Sequence, residues 1–281
     1  MSKSFAERFA AVRAVHGPLV WGLDPAAALL EDWALGDNAD GLDRFADIML
    51  AAAPGTVGLI KPQSAFYERH GWRGIRTLQR LVADARSAGL LVILDIKRGD
   101  VGSTNDAYAE AYLGKGAPLA ADAITVHPYL GLGAMDTYVS RAAAAGSCLL
   151  VVTRSSNPEG RTIQAANLTD RARSVEQDLL AEIGSINARL APAGIGPVGA
   201  VVGPTHMEPE LDLAAARCLF LAPGVGAQGA TADDVARVFA ACRDRVMPSA
   251  SRSLLSAGPD VGRLRDNAAA QAAEFRTVLA G

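Results

Sequence analysis

The sequence predicts an α/β fold, specifically a (β/α)8 TIM barrel that forms a single domain over residues 1–281. Eight short apolar segments of strand-like composition follow one another, and each ends in polar or glycine-rich residues. Stretches rich in alanine, leucine, arginine and acidic residues separate these segments, as crossover helices would. Eight such units in about 250 residues favour a closed barrel, with an open doubly wound sheet as the second choice.

The eight predicted strands are almost wholly apolar, because a parallel strand is covered on both faces. In chain order they read LVWGLD ending at Asp24, TVGLIK ending at Lys61, LVILDIK ending at Lys97, AITVHP around His127, LLVVTRSS ending at Ser156, VGAVVGPT ending at Thr205, CLFLAPGVG ending at Gly226 and RVMPSASR ending at Arg252.

Between the strands, helical spacing is clearest at residues 74–88 and 231–241. The second segment opens with Thr231 as an N-cap and has acidic residues in its first turn. The longest connection, from residue 157 to residue 196, begins with the polar stretch NPEGRTIQAANLTDR. We therefore expect an active-site lid around residues 157–175 rather than a domain boundary.

Composition limits the classes of function. Hydrophobic residues make up 50% of the chain and aromatic residues only 5%, which suits a core of Ala, Val and Leu. The formal net charge of -3 provides no general attraction for nucleic acid or an anionic membrane. Three cysteines are too few for a disulfide scaffold, and Cys148 and Cys218 lie in apolar runs that predict buried thiols. We expect a cytoplasmic protein with no nucleic-acid or membrane partner.

The segment LVILDIKRGDVGST at residues 91–104 is the most informative motif. Side chains alternate along a strand, so Asp95 and Lys97 share one face and project side by side. Gly99 marks the end of the strand, and Asp100 follows it, close enough to interact with Lys97 or with a neighbouring subunit. The motif predicts a charge cluster at the mouth of a buried strand.

Other polar residues also follow predicted strands. In a (β/α)8 barrel the catalytic groups lie at the carboxyl ends of the strands. Ionisable groups at such a position are costly unless they are paired, so their convergence favours a polar site over accidental placement. The residues at this end are Asp24, Lys61, Asp95, Lys97, Ser156 and Arg252.

The last two strand ends indicate a phosphate site. The segment LAPGVGAQGA at residues 221–230 contains Gly224, Gly226 and Gly229, which let backbone amides approach an anion. The loop leads into the helix predicted to begin near Thr231, whose N-terminus is positive. Barrel enzymes often bind phosphate with these two loops, and Arg252 supplies a bidentate donor there.

Together these motifs resemble the orotidine 5'-monophosphate decarboxylase family, in particular its longer bacterial subgroup. The likeness spans nearly the whole chain, and the order and spacing of the motifs are specific. They are GLDP at residues 22–25, LIKPQ with Lys61, LDIKRGDVGST at 94–104, SSNP at 155–158, APGVGAQG at 222–229 and SASR ending at Arg252.

The resemblance implies a homodimeric barrel that converts orotidine monophosphate to UMP, the last step of de novo pyrimidine nucleotide synthesis, without a metal or organic cofactor. It assigns catalysis to Lys97, Asp95, Asp100 and Lys61. Asp100 and Thr104 would reach the partner subunit's site. The remaining residues that it assigns to the substrate are Asp24 and Lys61 for the ribose, Ser156 for the pyrimidine, and Gln228, Arg252 and the Gly226 backbone for the phosphate.

The chain departs from the commonest form of the family at two places. Residues 101–104 read VGST where the short-chain pattern has Ile-Pro-Asn-Thr, and Ser251 precedes Arg252 where glycine is usual. Every charged group of the motif is nevertheless present. His127 lies at a strand end, but with Lys97 available as the acid we expect it to have a structural or supporting role. His16, His70 and His206 show no metal-ligand spacing.

Two other readings remain open from the residues. One is a sugar-phosphate decarboxylase or aldolase of the same superfamily, which would use the D-x-K-x-x-D carboxylates to hold magnesium. Ser156, Gln228 and the chain length favour the nucleotide enzyme over it. The other is a nucleotide-binding barrel without activity, against which the intact set of lysines and aspartates argues.

Overall fold

The computed structural model describes residues 3–205, 210–226 and 229–280. Eight parallel strands close into a barrel, in which each strand pairs with the next and the last pairs with the first. The predicted (β/α)8 barrel is confirmed, and each of the eight predicted strands is present. Their bounds are β1 Val20–Leu23, β2 Leu59–Pro62, β3 Leu91–Arg98, β4 Ala123–Val126, β5 Cys148–Arg154, β6 Val198–Val202, β7 Phe220–Ala222 and β8 Val246–Ala250.

Helices connect the strands and pack on the outside of the barrel. None of those in the described ranges is long and apolar enough to cross a membrane. The α-helices are α1 Phe5–His16, α2 Ala27–Asp32, α3 Ala39–Ala52, α4 Ala65–Glu68, α5 Gly71–Ser87, α6 Gly102–Tyr112, α7 Asp136–Ala145, α8 Arg161–Gln164, α9 Val175–Leu190, α10 Ala232–Val238, α11 Arg252–Leu255 and α12 Val261–Val278, and 3-10 helices cover Leu132–Met135, Pro158–Gly160 and Ala240–Arg245.

Both helices singled out from the sequence are present. Residues 74–87 of the first segment belong to α5, and Ala88 is the C-cap of that helix. Helix α10 begins directly after Thr231. The Thr231 side chain accepts from the backbone of Asp234, whose carboxylate accepts in return from the Thr231 backbone, so the predicted N-cap is confirmed. Helix α10 ends at Val238, earlier than predicted, and the 3-10 helix Ala240–Arg245 follows it, with non-helical backbone at Cys242.

The barrel interior is apolar at its amino end and charged at its carboxyl end. Phe9 of α1 packs with Leu59 and Ile93, which point into the barrel. Two residues further along the same strands, on the same face, stand Lys61 and Asp95. On these two strands, consecutive inward-facing side chains therefore change from apolar core residues to charged residues.

The cysteines are buried free thiols, as predicted for Cys148 and Cys218. Burial raises the pKa of the Cys148 thiol to about 12 and that of the Cys242 thiol to about 11. A protonated, enclosed thiol behaves as a small apolar side chain. These cysteines belong to the core and take no part in the site.

Candidate active site

A cavity of about 310 Å³ opens at the carboxyl ends of the strands. It is polar on the side of β1 to β3 and apolar on the side of β6 and β7, where Val201 and Leu221 line it. The strand-end residues singled out from the sequence all line this one cavity. They are Asp24, Lys61, Asp95, Lys97, Ser156 and Arg252.

Asp95 lies between two lysines at the base of the cavity. Its Oδ2 accepts a hydrogen bond from Lys61 Nζ at 3.1 Å, and its Oδ1 accepts one from Lys97 Nζ at 2.5 Å. Lys61 Nζ also lies 3.9 Å from Asp24 Oδ1. Lys61 and Asp95 are each only 7% exposed, whereas the Lys97 side chain is 39% exposed. We call Lys61, Asp95 and Lys97 the charged array.

Asp95 and Lys61 are ionised at neutral pH. Burial raises the pKa of the Asp95 carboxyl, but Lys61, Lys97 and a hydrogen bond from Thr125 outweigh it and hold that pKa well below its usual range. Burial likewise lowers the pKa of Lys61, but Asp24 and Asp95 outweigh it and raise that pKa above its ordinary value. Two ammonium groups thus share one buried carboxylate.

Two further residues contact Asp95 and were missed in the sequence. Thr125 of β4 lines the cavity and donates from Oγ1 to Asp95 Oδ1 at 2.7 Å. Gln63, with its amide nitrogen turned toward Asp95, donates to Oδ2 at 2.8 Å. Gln63 stands two residues after Lys61, so strand alternation was the signal that could have found it. Every oxygen of the Asp95 carboxylate therefore has more than one donor.

Asp100 and Thr104 lie outside this cavity within the part of the chain that the structure describes. The backbone amide of Asp100 donates to Asn105 Oδ1 at 3.0 Å, and Asp100 Oδ1 accepts from the amide of Val101 at 2.8 Å. Thr104 is exposed on the first turn of α6. Lys97 forms an ion pair with Asp95, and within the described residues no ion pair joins Lys97 to Asp100 of the same chain.

The loops after β7 and β8 adjoin at the far side of the cavity. Gly224 and Gly226 have φ values of 93° and 72°, which favour glycine, and they turn the chain back so that the Gly226 amide donates to Ala230 at 2.9 Å. That amide is already paired within the chain. Arg252 lines the cavity at the start of α11. Gln228, the other predicted phosphate ligand, lies outside the described residues, as does His206.

Two buried oxygen atoms at the cavity have no hydrogen-bond partner among the described residues, Asp24 Oδ1 and Ser251 Oγ. Ser251 is one of the departures from the family pattern, and Gly22 accommodates it. A Cβ atom on Gly22 would come within 2.7 Å of Ser251 Cβ. An unpaired buried acceptor or hydroxyl is costly. The cost at Asp24 Oδ1 is offset in part by Lys61 Nζ, 3.9 Å away.

The segment 157–175, predicted to be a lid, is tied to the end of β5 by side chains. Gln164 Oε1 accepts from the Ser155 amide at 3.0 Å, and Gln164 Nε2 donates to Ser155 Oγ at 2.9 Å. Arg161 Nη1 donates to both carboxylate oxygens of Glu176, which is fully buried and also accepts two hydrogen bonds from Arg154. These contacts couple the segment 157–175 to the strand that ends beside Ser156, and its action as a lid stays a prediction.

His127 follows β4, and its amide donates to the Arg98 carbonyl at 2.9 Å. Partial burial, reinforced by Lys97 and opposed by Asp95, lowers the pKa of its imidazole. A neutral imidazole is a poor proton donor beside a lysine ammonium. The role predicted for His127 therefore stays a supporting one.

A parallel barrel with ionised groups gathered at the carboxyl ends of its strands defines the class of (β/α)8 enzymes that act at that face. Over residues 17–266 the chain matches the family model "Orotidine 5'-phosphate decarboxylase / HUMPS family", and it belongs to that family.

Relatives of similar length support the same assignment. The chain is 47% identical to orotidine 5'-phosphate decarboxylase of Salinispora arenicola over 279 residues, covering 99% of each chain. It is 47% identical to the enzyme of that name from Streptomyces coelicolor over 265 residues, covering 94% of each. A crystal structure from Streptomyces avermitilis assigned to the same enzyme superposes with a TM-score of 0.94 at 44% identity, covering 100% of this chain and 97% of that one.

Proposed function

We propose that this chain decarboxylates orotidine 5'-monophosphate to UMP, the last step of de novo pyrimidine nucleotide synthesis, and that the cavity of the charged array is the active site. The observation that supports this most strongly is the ionised Lys61–Asp95–Lys97 arrangement at the cavity base, in a member of this family. The three buried free thiols suit the reducing cytoplasm, where we place the reaction.

The chemistry requires a cation beside the reacting carbon. When the bond between ring carbon and carboxylate breaks, its electron pair stays on a carbon that the ring delocalises poorly. Lys97, the more exposed of the two lysines of the array, supplies an ammonium at that point. Asp95 orients it, because Lys97 Nζ donates to Asp95 Oδ1 at 2.5 Å. The ammonium stabilises the developing negative charge and then delivers its proton to the carbon. Carbon dioxide leaves, and solvent restores the proton to Lys97.

Asp95 has a second part in this scheme. Its carboxylate stays ionised because of the two lysines, so it would repel a substrate carboxylate placed next to it. That repulsion raises the energy of the bound substrate relative to the transition state. It is relieved when carbon dioxide leaves. Lys61 lies between Asp95 and Asp24 and offsets part of their negative charge.

Substrate binding is assigned to the rest of the cavity. Asp24 and Lys61 would contact the ribose, since both line the cavity and the Asp24 side chain is 24% exposed there. Ser156 would bond the pyrimidine; its backbone carbonyl is held by Thr205 Oγ1 at 2.9 Å. Arg252, with Gln228 and the Gly226 loop, would hold the phosphate. Within a single barrel domain, closure of the lid at 157–175 would exclude water.

A homodimer completes the site in this proposal. Asp100 precedes Val101, which is 54% accessible, and Thr104 is exposed on the first turn of α6. Neither Asp100 nor Thr104 lines the cavity of its own chain within the described residues. Exposed apolar and polar residues close together in the chain suit a protein interface. In a two-fold dimer each chain would lend Asp100 and Thr104 to its partner's site.

The first prediction is that pure protein decarboxylates orotidine monophosphate in the presence of EDTA. Both Asp95 oxygens are occupied by lysine ammonium groups, which leaves that carboxylate unsuited to holding magnesium. The measurement is the loss of substrate absorbance together with formation of one UMP per substrate consumed. Activity that EDTA abolishes and magnesium restores would favour the sugar-phosphate chemistry, and no activity under either condition would favour a binding protein.

The second prediction is that Arg252→Ala lowers kcat/KM for orotidine monophosphate by about 10²-fold, because a charge-assisted contact to phosphate is lost. Turnover of the dephosphorylated nucleoside should hardly change. The ratio of kcat/KM for orotidine monophosphate to kcat/KM for the nucleoside therefore falls. Arg263→Ala, an exposed arginine on α12, is the matched control and should behave like wild type. Equal losses for both substrates would remove Arg252 from the phosphate site.

A further inference from the structure

The hydroxyl of Thr125 joins the two central residues of the charged array. Thr125 is 1% exposed on β4, and its Oγ1 donates to Asp95 Oδ1 at 2.7 Å. The same oxygen accepts from the backbone amides of Ile96 at 3.1 Å and Lys97 at 3.0 Å. One side chain thus contacts the carboxylate of Asp95 and the backbone that carries Lys97.

These three bonds use the whole capacity of a hydroxyl, which has one proton and two lone pairs. Because two amides occupy the lone pairs, the proton of Thr125 can only point to Asp95. Although Thr125 lines the cavity, its hydroxyl has neither a proton nor a lone pair available for a hydrogen bond to a ligand. Any effect on the reaction must therefore pass through Asp95 and Lys97.

The backbone at Lys97 needs this support. Leu94 pairs with Ile124 and Arg98 pairs with Val126, so the three residues from Asp95 to Lys97 stand opposite Thr125 alone. The extra residues form a bulge, and the regular ladder bonds to β4 are lost there. Lys97 itself has a φ of 45°, in the left-handed region that a residue other than glycine adopts only when its surroundings hold it. The Thr125 hydroxyl takes the place of the missing ladder partner.

We propose that Thr125 is a positioning residue for decarboxylation, which fixes the bulged backbone of Lys97 and the carboxylate of Asp95 in their reactive geometry. This inference rests on the proposed function and extends it to a residue that touches no reacting atom. A valine has the shape of threonine but neither donates nor accepts. In Thr125→Val two buried amides and one carboxylate oxygen lose a partner, and Lys97 is released from its conformation.

The test compares Thr125→Val with Thr125→Ser in the decarboxylation assay. We expect Thr125→Val to lower kcat by about 10²-fold, since a small misplacement of a catalytic group costs on that order. KM and the Kd for UMP should change less than about threefold, because the loss falls on the transition state. Thr125→Ser keeps the hydroxyl and should restore kcat to within about fivefold of wild type.

The matched control is Thr153→Val. Thr153 is fully buried on β5, and among the described residues its hydroxyl bonds only the Val151 carbonyl, at 3.2 Å. This variant should leave kcat unchanged. If Thr125→Val fails to fold, Thr125→Cys serves instead, because a thiol of similar size is a weak donor and acceptor and should show the same fall in kcat against Thr125→Ser.

Three results would overturn the inference while wild-type protein remains active. They are a kcat for Thr125→Val close to that of Thr125→Ser, a loss confined to KM, and an equal loss in Thr153→Val. Wild-type protein that fails to decarboxylate orotidine monophosphate would instead refute the proposed function.

Discussion

Replacing Lys97 with alanine is expected to lower kcat by more than about 10⁴-fold while the barrel stays folded and still binds UMP. In the proposed mechanism Lys97 both stabilises the developing carbanion and supplies its proton, and these two effects would multiply. Folding should tolerate the change because the Lys97 side chain is 39% exposed at the cavity mouth. Asp95 would keep Lys61, Thr125 and Gln63 as partners, so it would not be left as an unpaired buried charge.

The measurement is the decay of orotidine monophosphate absorbance, with UMP affinity and the melting temperature recorded beside it. Lys115→Ala is the matched control, because Lys115 is exposed and lies beside Arg86 and Asp122 at the amino end of β4. Turnover within tenfold of wild type in Lys97→Ala would contradict the assignment of Lys97 as the acid. A variant that lost both turnover and UMP binding would show that Lys97 serves ground-state binding instead.

The barrel could be predicted from the sequence because its determinants are local. Each strand is an apolar run of its own, and each crossover helix has its own spacing and cap, as at Thr231. Alternation along one strand was also enough to place Asp95 and Lys97 side by side, which their 2.5 Å hydrogen bond confirms. These features need no knowledge of the neighbouring strand.

The bulge at residues 95–97 could not be predicted in this way. Whether three residues stand opposite one depends on the register between β3 and β4, which is set by tertiary packing. The role of Thr125 depends on that register, so nothing in the segment AITVHP distinguishes it from an ordinary strand threonine. The positive φ of Lys97 is likewise unexpected for a lysine in a strand.

The contacts of the segment 157–175 also could not be predicted from the sequence. The polar stretch after Asn157 predicts a surface loop, yet Arg161 from this stretch bonds Glu176, which is 0% exposed. A glutamate in the first turn of a helix normally indicates a solvated residue that favours the positive helix end. Its burial depends on Arg154, whose guanidinium comes from the end of β5 and neutralises it.

The second large effect is expected when two inactive variants are mixed. We propose that each site combines the Lys61–Asp95–Lys97 array of one chain with Asp100 of a second, since Asp100 does not line the cavity of its own chain within the described residues. Lys97→Ala and Asp100→Ala would each be inactive alone. Exchange of subunits between equal amounts makes about half of the dimers mixed, and one site of each mixed dimer then has every native residue.

Lys97→Ala mixed with Lys61→Ala is the control for this experiment, because both lysines belong to one chain's array and no site of a mixed dimer regains both. The decisive measurement is the decarboxylation rate of the exchanged Lys97→Ala and Asp100→Ala mixture. If the site is shared, we expect recovery to about a quarter of the wild-type rate, with no recovery in the control. An exchanged mixture that stays inactive would place Asp100 in the site of its own chain and contradict the shared active site.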